Sequence, residues 1–60
     1  MFLTIADVQN IVNAMIKESE INDDYRALAL SDVEEAIKLI IYRDFPPDVQ
    51  MRYHHTLKYF

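Results

Sequence analysis

The sequence predicts an all-α fold, a small three-helix bundle with an additional short helical turn between the first and second helices. Three observations predict it. Glycine is absent, although ordinary usage of about 7% would supply roughly four in a chain of this length, and glycine is the residue on which tight β-hairpins rely for positive φ. Apolar residues recur at three- and four-residue spacing instead of alternating. The breaks between those stretches carry Asn, Asp, Ser and Pro, which end one helix and start the next.

The first helix is expected from Ile5 to about Ser19. Thr4 can accept from the amide near Asp7 as an N-cap, and Leu3 can staple onto Val8. Asp7 also suits the positive end of the helix dipole. Ile5, Val8, Ile11, Val12, Met15 and Ile16 form the apolar stripe, with Asn10, Asn13 and Lys17 on the other side. The polar break Glu20-Ile21-Asn22-Asp23-Asp24 follows, where Asn22 or Asp23 can cap a short turn through Tyr25-Arg26-Ala27-Leu28; the alternative is one irregular loop pinned by Tyr25, Leu28 and Leu30.

The second helix is expected to start at Ser31, because Ser31-Asp32-Val33-Glu34 reads as a capping box. Val33, Ala36, Ile37, Ile40 and Ile41 form its stripe, and Leu39 and Tyr42 widen it, which puts this helix at the centre. Glu34 and Lys38 are spaced to pair one turn apart. The helix must stop before Phe45, since a residue preceding proline is pushed out of the α region. Pro47 fits the first position of a third helix running to near Lys58, with Asp48 placed to pair with Arg52. The expected core is Leu3, Ile5, Val8, Ile11, Val12, Met15, Leu28, Leu30, Val33, Ile37, Ile40, Ile41, Phe45, Val49, Tyr53 and Leu57.

A chain of 60 residues holds one domain, residues 1–60. Such a chain buries only about 60% of the surface its unfolded form exposes, and so it usually needs a staple or a partner. There is no cysteine, which removes disulfides and thiolate metal sites. At 52% hydrophobic residues the chain is apolar-rich, and part of that surplus is expected to cover another protein surface. No apolar run approaches the roughly 18 residues of a membrane span. Met1-Phe2-Leu3-Thr4 lacks the basic region and long apolar stretch of a signal peptide, so a cytoplasmic location is expected.

Motifs of chemistry are scarce. His54 and His55 are adjacent, so on a helix they point about 100° apart and do not share one ion; neither has a histidine four residues away. The segment from Glu20 offers Asn22 and Asp24 at alternating positions like a calcium loop. Arg26 then stands where an oxygen ligand or glycine is needed, and Ser31 replaces the closing glutamate. No nucleophile lies beside a base: Ser19 and Ser31 are helix-end residues, and the histidines belong to another helix. A non-enzyme without cofactor or metal is expected.

On the third helix, Val49, Tyr53, Thr56, Leu57 and Phe60 share one face, while Met51, His55 and Tyr59 share the roughly opposite one. Aromatic residues and methionine are enriched at interfaces. The expected function is therefore protein–protein interaction, a regulator, adaptor or inhibitor that docks through Tyr42, Phe45, Met51, His55, Tyr59 and Phe60 and self-associates as a homodimer. Two other classes stand behind it. One is a structural subunit of a larger particle. The other is an acidic decoy for a nucleic-acid-binding protein, using Glu18, Glu20, Asp23, Asp24, Asp32, Glu34 and Glu35. The net charge of −4 and the lack of a basic stripe put direct nucleic-acid binding last.

Overall fold

Two single residues, Asn22 and Asp32, set the architecture. In the computed structural model, which describes all 60 residues, each closes one helix and opens the next. The helices are α1 (Ile5–Ile21), α2 (Asp23–Ser31), α3 (Val33–Asp44) and α4 (Pro47–Tyr59). Asn22 is extended, at φ −136° and ψ 102°; its amide bonds the Glu18 carbonyl behind it, and its side chain accepts from the Tyr25 amide ahead. Asp32 repeats the device, donating to the Leu28 carbonyl and accepting from the Glu35 amide. A corner made by one extended residue needs no left-handed backbone, and no residue has positive φ. That is how a glycine-free chain turns sharply twice.

Four helices therefore replace the expected three. The short turn foreseen around Tyr25 is a full helix of nine residues. The first helix runs two residues past Ser19, to Ile21, because Asn22 stops it. The second predicted helix starts one residue later than its apparent capping box. Ser31 is the last residue of α2, and its hydroxyl donates to the Leu28 carbonyl. Asp32 takes the cap in its place. Two overlapping registers were available in Ser31-Asp32-Val33-Glu34-Glu35, and the one led by the carboxylate, a strong acceptor, is used. At α1 the box is complete: Thr4 Oγ1 accepts from the Asp7 amide at 3.0 Å, and the Asp7 carboxylate accepts from the Thr4 amide at 2.9 Å. Pro46 is extended, and Pro47 opens α4.

The packing has two centres. Ile11, Ile41, Val49 and Tyr53 form one, and Tyr25, Ala36 and Ile40 form the other; Met15 and Phe45 touch both. Ala36, Ile40 and Ile41 are wholly buried, so α3 is the central helix. Leu39 and Tyr42, which had pointed to that position, are themselves exposed. The small side chain of Ala36 lets α2 come close, and the Tyr25 hydroxyl donates to the Ala36 carbonyl at 2.7 Å.

Only eight of the 60 residues are buried, so much of the expected core is not core. Ile5, Val8, Val12, Leu30, Val33 and Leu57 are all exposed, Leu30 at 85% and Ile5 at 79%. Leu30 faces outward because α2 presents Tyr25, Leu28 and Ala29 to its neighbours instead. Val8, Val12 and Leu57 have a common cause: they face a gap where α1 and α4 scarcely approach each other along their backbones. No helix is long and apolar enough to cross a membrane.

Candidate interaction surface

Polar bonds add to the apolar packing of Leu3 and Ile11 on Val49 and Tyr53 in tying α4 to the start of α1. Arg52 grips Asp7 with two nitrogens, Nε and Nη2, at 2.7 and 2.8 Å. The Leu3 amide donates to Thr56 Oγ1 at 2.9 Å, and that hydroxyl donates on to the Arg52 carbonyl. Asp7 thus serves twice, in the α1 cap and in the bridge to α4. The Arg52 bond, joined by the Thr4 amide, holds its carboxyl well below the usual range, while Asp7 raises the guanidinium in turn. The pairing of Arg52 with Asp48 expected from spacing gives way to this longer-range bidentate bond. On α3, Lys38 likewise meets Glu35, at 3.9 Å, instead of Glu34.

Beyond that clamp the helices part, and a cleft of about 260 Å³ opens between them. Leu3, Val8, Val12 and Met15 line one side of it; Tyr53, Thr56 and Leu57 line the other, with Ile11 and Ile37 contributing from the core side. Eight of these nine are hydrophobic, and Thr56 is already engaged by Leu3 and Arg52. No charged side chain lines it. Burial raises the Tyr53 phenol, helped by Glu34 and Glu35 in the first turn of α3. The cleft continues outward on α1, where Ile5, Val8, Val12 and Ile16 form an exposed apolar ridge.

The residues expected to form an interface do not come together as one patch. Tyr42 lies on α3 and hydrogen-bonds the His54 ring. Phe45, half-buried, sits at the α3–α4 corner, where it packs on both core centres. His55 and Tyr59 do meet, with ring centroids 4.6 Å apart, and Phe2 packs edge-on against His55 at 4.9 Å. Met51 is exposed one turn before His55, beside Met1, whose amino group lies 3.1 Å from the His55 ring. Phe60 is fully exposed at the end of α4. The two histidines diverge as helical geometry requires, His54 toward Tyr42 and His55 toward Phe2. No three His, Cys, Asp or Glu side chains converge as a metal site.

The acidic residues are largely occupied within the fold. Glu18 accepts from Arg43 at 2.8 Å and from Asn22 at 3.0 Å, which lowers its carboxyl. Arg43 also binds the neighbouring Asp44 and lowers it. Asp23 pairs with Arg26, Glu35 lies near Lys38, and Asp32 is a cap. Glu20, Asp24 and Glu34 remain exposed without an ion-pair partner.

The cleft itself is a surface that sequence reasoning missed, and a signal for it existed. At about 100° per residue, the six apolar residues of α1 from Ile5 to Ile16 sweep roughly 140° of the helix. Ile11 and Met15 use the part that α3 and its neighbours cover, which leaves the remainder facing out. No known protein family, curated protein or solved structure matches the chain.

Proposed function

We propose that the chain is a small, non-enzymatic docking module that takes an apolar helical surface into the cleft between α1 and α4. The observation carrying this reading is the cleft's lining, eight hydrophobic residues with no charge among them, open to the outside and continuous with the ridge on α1. An apolar face of that kind favours association, because burying it recovers about 25 cal/mol per Å² of apolar area. Regulator, adaptor and inhibitor are all roles such a module fills by occupying another protein. Assembly into a larger particle would use the same surface.

The acidic-decoy reading draws less support. Charge complementarity needs acids free to face a basic groove, and Glu18, Asp23, Asp32 and Glu35 are spent on caps and pairs. The decisive test compares capture of partners from native extract by the unaltered chain, by Val12→Lys, and by Met51→Lys/Tyr59→Lys, each at two salt concentrations. A partner retained by the unaltered chain and by the double variant but lost by Val12→Lys supports the cleft. Loss only in the double variant moves the docking surface to the outer face of α4. Binding that vanishes with salt and ignores both sets of substitutions returns the acidic residues to the front.

A further inference from the structure

We propose that the α1 ridge and the mouth of the cleft it borders are covered by a second copy of this chain, seated across a twofold axis with α1 antiparallel to its counterpart. This rests on the docking reading above and adds the partner.

The first ground is self-complementarity. A twofold interface uses one patch twice, so that patch must hold both a ridge and a recess. Here α1 supplies both, since Val8 and Val12 stand on the ridge and also line the cleft. The ridge residues Ile5, Val8, Val12 and Ile16 are spaced by three, four and four, a pattern nearly the same in either direction. In an antiparallel pair, Ile5 faces the second copy's Ile16, Val8 faces its Val12, and Gln9 at the rim faces its Asn13. Antiparallel helices also set opposite dipole ends side by side.

The second ground is charge. Each chain carries a net −4, so two copies repel unless they meet on an uncharged face. Ile5, Val8, Gln9, Val12, Asn13 and Ile16 carry no charge, and neither does any residue lining the cleft.

The third ground is area. Ile5, Val8, Val12 and Ile16 on the ridge and Leu57 across the cleft are between 45% and 79% exposed. A standard stable interface takes about 800 Å² from each partner, and these five residues supply the largest apolar part of what this face offers. The half-exposed cleft walls and the rim amides Gln9 and Asn13 supply much of the remainder.

The test is sedimentation of the full chain from low micromolar to about 100 μM, in native form and as Val12→Lys and Met51→Lys. The native chain is expected to dimerise. Val12→Lys should weaken the dimer on the order of 100-fold, because the axis brings two unpaired ammonium groups to one seam, while circular dichroism shows the helices intact. Met51→Lys, outside the cleft, should leave the dimer unchanged. The chain has no cysteine, so Gln9→Cys places a unique thiol beside the axis; oxidation should cross-link it, and Asp24→Cys on α2 should stay uncross-linked. Equal cross-linking of the two, or a dimer indifferent to Val12→Lys, overturns the proposed arrangement.

A native chain that stays monomeric throughout overturns the second copy. Binding of the apolar dye anilinonaphthalene sulfonate then separates the two levels of the argument. Dye bound by that monomer and lost in Val12→Lys keeps the docking cleft with a foreign occupant. A monomer that binds no dye removes the docking reading as well.

Discussion

The α2–α3 half and the α1–α4 half of this molecule are built on opposite plans. Around Tyr25, Ala36 and Ile40 the chain folds back through one-residue corners, apolar side chains fill the space between helices, and a buried hydroxyl bonds a backbone carbonyl. Between α1 and α4 the order is reversed. Ile11 packs on Val49 and Tyr53 at the inner edge, an ion pair and a threonine hydroxyl hold the start of α1, and the apolar side chains outward of these stay partly exposed. The difference separates what stabilises the fold from what remains available for contact. The closed half buries Tyr25, Ala36 and Ile40 while Leu30, Val33, Leu39 and Tyr42 stay outside, and the open half leaves the α1 ridge and the cleft beside it uncovered within the chain.

Substitutions break this comparison most sharply at Ile40. Truncating that wholly buried side chain to alanine leaves a void in the closed half and should cost about 3 kcal/mol, measured by urea denaturation. A cost well below this would mean the closed half is not the stabilising one. Next in size is Asp7→Asn, which removes the bidentate partner of Arg52 and weakens the α1 cap; a fall in Tm of roughly 5 to 10 °C is expected.

The same variant sharpens the picture through pH. The folded fold holds the Asp7 carboxyl below its unfolded value. Its contribution is therefore complete above about pH 4 and is lost as pH falls through the folded value. Thermal melts from pH 6 to pH 2 should show a shallower acid loss in Asp7→Asn than in the native chain. Parallel curves would show that the clamp to α4 contributes nothing to acid stability.

Smaller effects complete the series. Tyr25→Phe removes the hydroxyl that satisfies the Ala36 carbonyl and should cost about 1 kcal/mol. Val12→Ala, in the open half, should cost under about 0.5 kcal/mol in the isolated chain, read from the same denaturation curves. If Val12→Ala costs as much as Ile40→Ala, α1 is packed within the chain and the open half is not open.

Much of the local structure was legible in the residues. Thr4 with Asp7 marks the start of α1, Pro47 marks the start of α4, and the polar break from Glu20 to Asp24 brackets the corner at Asn22, although the helix runs past the expected Ser19. These signals act within four residues, on backbone groups that need a partner wherever the rest of the chain lies. Asp32 was harder to read because Ser31 offers a competing cap one residue earlier, and only the continuation of α2 through Ser31 decides between them. Tyr25 was missed as a core residue because its burial depends on Ala36 eleven positions away.

The candidate site was legible only in part. An apolar surplus beyond what the chain could bury was apparent from composition, but it was assigned to the outer face of α4 and to Tyr42 and Phe45. Phe45 is half-buried against both packing centres and Tyr42 bonds His54, while Met51, Tyr59 and Phe60 stay exposed as expected and a second exposed apolar surface, unread in the sequence, lies on α1. A helical stripe states which residues share a face, not how many neighbours that face will have.

By itself, then, the chain's residue order determined an all-helical chain and the starts of α1 and α4, since each depends on contacts within a turn or two. Only the tertiary structure decided which apolar stripes meet. That choice follows from how α1 and α4 are set relative to each other, with the Asp7–Arg52 bond joining residues 45 positions apart in the sequence. Local spacing carries no information about such a placement, so the open cleft emerges only when the helices are assembled.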